Sequence, residues 1–560
     1  MKTKWLSKKV ASLMIAGSMI FSLVACGNEV ENISKEQTGA IESTQKQQET
    51  PVTATEVGSV EITYPLQTDV EVSIWCGAQI AYCDEYSSWE ESPFHTGLAD
   101  KTGVTVDWRW ISAGATEADA YNLLLLDEEL PTIIYRSISA NDATELLEDG
   151  IIHELTTELL ETYAPNFWAY INDPANAAEK QAITTNDGAF YGLPLMRESD
   201  YNLTWIGPMV RQDWLDECGL STPVTLEDWE NMLIAFKEKY DCAPLAFRWA
   251  YPAQSGGIAS GTGALGWATG MALRVRDGKV IVPQMEEAWV EELEVLHRWY
   301  ENGLLDADAI SMDNNAVRNK ALENKLGVTI VPMSQATNLI NDAKNANSDA
   351  NWVGLEYPRT EAGAATSMIM TEAQRASVGT AVITSSATEE QLKVALQWLD
   401  YAYSEDGMMY WNFGEEGVSY QLNANGEPEF TDAIKNDPQG IDYASRRYSG
   451  QAGGAFGIQM ASLVAAKNDP TVAAAVYKWI ENTEASEHYM PGVTLTAEEN
   501  EISSQYLTAL MTYVDEEGMK FVTGDRDIST YDEFLKTMYT MGLQEVLDVW
   551  QAAYDRYMGN

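Results

Sequence analysis

Basic residues are scarce in this 560-residue chain: Lys and Arg total 35 against 85 Asp and Glu, a formal charge of −50. So acidic a protein repels nucleic acid and anionic membrane surface, and neither is expected as its main partner. Histidine is scarcer still, at four, which leaves little for a His-built metal centre or a His-based catalytic machine. The five cysteines show no C-x-x-C spacing, and Cys76, Cys83, Cys218 and Cys242 are too dispersed for a metal quartet. Export permits disulfides among these four. Cys76–Cys83 and Cys218–Cys242 are the most local of the three pairings, with free thiols an equal alternative. G-x-x-x-x-G-K-[ST], G-x-S-x-G and H-E-x-x-H are all absent. The Gly-rich stretch 255–263 has no Lys at phosphate-loop spacing and reads as a turning loop. Carboxylates are so abundant that no single Asp/Glu pair signals a glycosidase.

What is present is ample material for large cores, with 45% hydrophobic residues and only 21% charged, so bulk disorder is excluded. Length alone predicts three to four domains. The aromatics are skewed, with 18 Trp and 27 Tyr against 11 Phe, an excess of rings with a polar handle that suit half-wet surfaces as well as cores.

The N-terminus carries an address. Lys2, Lys4, Lys8 and Lys9 precede an apolar or small-residue run from Val10 to Ala25, the charged and apolar regions of a secretory signal. The run is shorter than the roughly 20 residues of a spanning helix. It ends in Leu23-Val24-Ala25-Cys26-Gly27, which resembles a bacterial lipobox and implies cleavage before Cys26 and a lipid on its sulfur. Two acyl chains there give stable anchoring. Removing residues 1–25 takes four lysines and no acid, so the exported part carries −54. Residues 26–60 are polar, lack aromatics and have no apolar period, which predicts a lipidated, disordered tether.

From Glu61 the pattern is α/β. Val70, Val72 and Ile74 alternate with polar residues toward Trp75-Cys76, and Val104, Val106 and Trp108 do the same. Further strands are expected at 133–135, 327–331 and 378–384, with a helix over 118–126 between the second and third. Thr225 and Asp228 form a capping pair ahead of Trp229, Met232, Leu233 and Phe236. Thr388 and Gln391 cap a helix with Leu392, Ala395, Leu396 and Leu399 on one face. Leu543, Val546, Leu547, Trp550 and Tyr554 stripe a third. These stripes are read as core faces.

Four blocks carry a family resemblance. They are Leu130-Pro131-Thr132-Ile133-Ile134; Tyr191-Gly192-Leu193-Pro194 followed by Arg211 to Asp216, Gly219-Leu220, Pro223 and the 225–239 helix; Trp398 to Tyr401 through Ser404-Glu405-Asp406-Gly407 to Trp411-Asn412-Phe413-Gly414; and Leu495 to Glu499, then Lys520 to Gly524. In their order and spacing, with the lipobox, they resemble the extracellular solute-binding proteins, family 1, of ABC importers, in the large lipoprotein branch with alginate-binding relatives. The family usually has Asp where Thr132 stands.

The resemblance implies a two-lobed periplasmic-binding-protein-like fold of type II, with a ligand cleft between the lobes. By analogy, lobe 1 spans 61–200 plus 376–414 and lobe 2 spans 201–375 plus 415–560. A first crossing falls near 192–203 and a return near 373–378. It implies a monomeric, lipid-anchored receptor on the extracellular side of a bacterial membrane, delivering a solute to ABC permease subunits, with no enzyme activity and no cofactor. One departure matters. Many relatives carry an EF-hand-like calcium loop after the helix ending near Lys239, but Tyr240-Asp241-Cys242-Ala243-Pro244-Leu245 lacks the run of oxygen ligands and the turning Gly. The 306–315 stretch has oxygens but no turning Gly and reads as a loop, so no metal is expected.

A sugar in the cleft needs aromatic faces under its C–H surface and polar groups for its hydroxyls. Positional candidates are Trp75 at the end of the first strand, Arg136 just past the 133–135 strand and Trp205 past the first crossing. Arg248, Trp249 and Trp267 join them, with Trp411 and Tyr420 after the third block. The excess acid disfavours a uronate ligand unless several Arg converge, with Arg446-Arg447 as possible contributors. A neutral oligosaccharide is therefore expected and a peptide is the alternative ligand. A surface adhesin and a lipid-anchored glycoside hydrolase are the alternative functions.

Overall fold

The computed structural model describes residues 62–559, apart from 78–85, 87, 89–90, 112–114, 186 and 368–374. The signal sequence, Cys26, the tether and Cys83 lie outside the described residues. Each expected strand is present. β1 is Val72–Cys76, β2 Val106–Trp110, β3 Ile133–Ser137, β4 Leu193–Arg197, β5 Ile206–Arg211, β6 Arg274–Arg276 and β7 Lys279–Ile281. β8 is Val328–Pro332, β9 Trp352–Gly354, β10 Ala376–Ile383, β11 Tyr420–Leu422, β12 Pro428–Phe430 and β13 Gly457–Gln459.

Two separate sheets define the two lobes. The first has the order β13-β4-β10-β3-β1-β2. β10 runs antiparallel to both neighbours, so the other five strands point one way. The second is a three-stranded antiparallel sheet, β8-β5-β9. The alternation read from the sequence has a direct packing consequence, because successive strand residues face opposite sides. Val72, Ile74, Cys76, Ile133 and Tyr135 pack into one core layer of the first sheet, while Trp75 and Ile134 enter the layer on its other face. The second sheet sits in one large core that includes Trp214, Trp229, Trp267, Trp289, Trp299 and Trp479.

The three capped or striped helices are Leu226–Tyr240, Glu389–Asp400 and Leu543–Tyr557. The Thr225/Asp228 and Thr388/Gln391 capping boxes close on both sides, satisfying amide groups that the first helical turn leaves without partners. Trp229, Met232, Leu233 and Phe236 are buried, as their spacing predicts.

The chain crosses between sheets where β4 gives way to β5, at 198–205, and again between β9 and β10. A third crossing follows β13, because the Pro470–Trp479 helix packs on β9 and β5 of the second sheet. After residue 415 the chain first packs on the first sheet and, from the Pro470–Trp479 helix onward, on the second core. Gly457–Gln459 completes the edge of the first sheet beside β4, and Phe456 enters the first core against Trp398 and Trp411. Gly457 sits at φ 94°, and a Cβ there would come within 2.7 Å of the Ala402 side chain. A three-residue strand gives no usable alternation, so this return leaves no periodic signal.

Asp400 ends its helix fully buried, accepting hydrogen bonds from Asn166 Nδ2 at 2.7 Å and the Phe167 N–H at 2.8 Å. Burial pushes its carboxyl up to about 6, against the pull of these bonds. The folded state thus holds this proton more tightly than the unfolded chain. The stabilisation is complete below about pH 4 and is lost as the pH rises through about 6, at most about 3 kcal/mol. Melting curves of the wild type and Asp400→Asn between pH 4 and 7 are expected to diverge, with the variant flatter. Parallel curves would count against this account.

Candidate functional site

In open α/β sheets ligands bind outside the carboxyl ends of the strands, and here that edge faces the other lobe. The connection after β3 leads into the Ala140–Glu148 helix. On its first turn Asn141 Oδ1 accepts the Leu495 N–H at 2.9 Å, a contact between residues 354 apart in the chain. Leu495 precedes Thr496, the N-cap of the Ala497–Thr523 helix, whose Leu510, Val514 and Phe521 lie in the second core. Arg556 braces this loop, meeting Glu499 at 2.6 Å and the Thr494 carbonyl at 3.2 Å. One side chain–backbone hydrogen bond contributes about 1 kcal/mol, enough to shift an open–closed ratio about fivefold. Asn141→Ala is therefore expected to enlarge the radius of gyration measured by small-angle scattering. An unchanged radius would show that this contact does not hold the lobes together.

Four side chains meet at this edge. Trp75 pairs in register with Arg109 and Ile134, and its ring lies 5.9 Å from Tyr121; both rings are buried, with 5% of each residue left exposed. Tyr121 comes from the Glu117–Leu124 helix, N-capped by Thr116. The Arg136 guanidinium lies 3.7 Å from the centroid of the Tyr121 ring, within cation–π range. Arg136 Nε stands 2.8 Å from Glu117 Oε1. Neither atom has an aligned hydrogen bond, so their approach is a charge contact off the N–H axis. Burial pushes the Tyr121 phenol up, with the Arg136 charge opposing, and the ring stays neutral. Gly77 closes the corner. A Cβ there would come within 2.6 Å of the Trp75 ring and 3.1 Å of Glu117 Oε1. Glu117 and Tyr121 were not expected from the sequence. Their i, i+4 spacing places them on one helix face, but nothing local links that face to Arg136.

The other candidates are dispersed. Trp205 lies on the first crossing, with the Arg197 guanidinium 5.7 Å from its ring and its carbonyl accepting the Met333 N–H. Arg248 and Trp249 belong to the second lobe. Arg248 is exposed, 5.5 Å from the Tyr251 ring, and Trp249 donates through Nε1 to Thr269 at 2.8 Å. Trp267 lies beneath Trp249 at 5.2 Å and is 1% exposed. Trp411 is 0% exposed, with Phe456 at 4.7 Å and Phe94 at 4.9 Å. Tyr420 packs on Phe413 in a satellite core under the β11–β12 hairpin. Trp267 and Trp411 are corrections to the expected set, since a ring sealed on all sides offers no face to a solute. Tyr420, 8% exposed, lies in the hairpin's own core, apart from the other candidates.

Among the described residues no three His, Cys, Asp or Glu side chains converge to hold a metal ion. The residues do not fit a calcium loop. Asp241 caps the Leu226–Tyr240 helix in a left-handed conformation, and Asp306 already has the Lys320 ammonium at 2.6 Å. Cys76, Cys218 and Cys242 are free thiols. Burial pushes all three up, Cys242 to about 11.

No protein-family model matches the chain. The fructooligosaccharide ABC transporter substrate-binding protein FusA of Streptococcus pneumoniae is 23% identical over 491 residues, covering 83% of this chain and 86% of that protein. The lipoprotein LipO of Bacillus subtilis is 25% identical over 363 residues, 62% of this chain and 67% of that one. Among solved structures, the alginate-binding protein AlgQ2 without calcium ion superposes with a TM-score of 0.67 at 22% identity, covering 88% of this chain and all of that one. The chain is a homologue of ABC transporter substrate-binding proteins. Its two sheets, its crossings and the cleft between them are the two-lobed solute-binding fold, and its homologues are binding proteins rather than enzymes.

Proposed function

We propose that this homologue captures an oligosaccharide between its lobes and hands it to the permease subunits of an ABC importer. The observation that carries the reading is the wall formed by Trp75, Tyr121 and Arg136 at the carboxyl edge of the first sheet, opposite the Leu495 loop. Aromatic carbon beside a fixed guanidinium is the combination a sugar ring needs, with C–H surface on one side and donors for hydroxyls on the other. The relatives support it, one named for fructooligosaccharide and another for alginate. Trp205, Arg248 and Trp249 are proposed to complete the site from the crossing and the second lobe. The protein acts as a monomer tethered through lipidated Cys26, a reading supported by the lipobox and by the lipoprotein name of one relative.

Calorimetry of the full-length protein against neutral glycans, uronates and peptides tests the ligand class. Saturable binding of a glycan with no new product on chromatography is expected. Binding to peptides alone would refute the sugar reading, and turnover of the bound glycan would make the protein a hydrolase. A protein that no small ligand shifts in melting temperature would be an adhesin. Cys26→Ala is expected to leave the membrane fraction, and its retention there would refute the anchor.

A further inference from the structure

The Arg136 charge is matched inside this wall, in a chain of charge −50, and the Asp142 carboxylate adds a further negative charge that acts on Tyr121. Its cation, Arg136, is 12% exposed, and its anion, Glu117, is 33% exposed. Among the described residues Glu117 is the one carboxylate in ion-pair contact with Arg136. Tyr121 and Trp75, the remaining members, carry no charge. A guanidinium already matched by a carboxylate still donates hydrogen bonds to hydroxyls, but it offers a second carboxylate no net attraction. That second carboxylate would also meet Glu117 itself across the same guanidinium. Discrimination of this kind comes from a built-in repulsion as much as from an attraction.

We propose that Glu117 sets the ligand class of this site: by cancelling the Arg136 charge, it selects uncharged oligosaccharides and rejects those bearing uronate carboxylates. The proposal rests on the oligosaccharide reading above and adds the charge rule to it. Glu117 contacts Arg136 and lines the same corner as Trp75 and Gly77, so it acts through the charge it places beside the ligand and through the orientation it gives the guanidinium.

The test uses the full-length protein, titrated by calorimetry with neutral di- to pentasaccharides and with the C6-oxidised uronate counterpart of each that binds. The wild type is expected to bind the neutral member at least roughly 30-fold more tightly than its uronate. Glu117→Gln is expected to bring the two within about threefold, mainly by strengthening uronate binding, with more salt reducing that gain. Arg136→Gln, which leaves Glu117 unmatched, is expected to reject uronates more strongly than the wild type does. Uronates that bind the wild type as well as neutral glycans overturn the proposal. So does a preference that Glu117→Gln leaves unchanged while the variant melts like the wild type. If no glycan of either charge binds, the oligosaccharide reading fails and the charge rule falls with it. Neutral and acidic glycans that bind equally sink the charge rule alone.

Discussion

Arg136→Ala is expected to bind its glycan roughly 10- to 100-fold more weakly than the wild type in calorimetry, with a melting temperature within a few degrees. Hydrogen bonds made by a charged group contribute about 1.5–3 kcal/mol each, and every 1.4 kcal/mol is a factor of about ten in affinity. The Arg136 guanidinium is held against Tyr121 and Glu117 and keeps 12% of its side chain exposed. Its partner Glu117 is a third exposed, so water solvates the carboxylate once the arginine is gone and the folding penalty stays small. Full affinity in the variant would remove the first-sheet edge from the binding surface.

Trp411→Ala is expected to do the opposite. The ring is 0% exposed among Phe94, Trp398 and Phe456, and a buried Trp replaced by Ala costs about 3–5 kcal/mol through lost transfer energy and the cavity left behind. The midpoint of denaturant unfolding falls accordingly, while the protein that remains folded binds its ligand normally. A stable variant that has lost affinity would return Trp411 to the cleft. Taken together, the two substitutions separate residues of the wall from residues of the core, a distinction that composition leaves blurred.

That blurring explains how much of the site was legible beforehand. The strands and capped helices follow from alternation and capping pairs, both local signals, and the structure carries each of them. Trp75 and Arg136 were singled out because both sit where a parallel strand ends, and the structure places them there. Trp267 and Trp411 misled because a tryptophan near a turn looks the same whether it lines a cleft or fills a core. Trp214, Trp229, Trp289, Trp299, Trp398 and Trp479 are fully buried too, so the tryptophan excess owes more to two large cores than to ligand recognition. Glu117, Tyr121 and Asn141 were not legible. Each acquires its role from a contact between segments distant in sequence, with Arg136 or with Leu495, and no spacing rule encodes such a pairing. The β13 return was missed for the same reason, being specified by its packing on β4 and Ala402 and not by any period of its own.

The central claim is that a sugar is held at the carboxyl edge of the first sheet, between the lobes. A crystal structure of the protein with a glycan that binds in calorimetry tests it most directly. The account predicts a sugar ring against the Trp75–Tyr121 corner, within hydrogen-bond reach of Arg136, with the Leu495 loop closed over it. A glycan bound elsewhere on the surface, or in the cleft without touching any of these three residues, would contradict it.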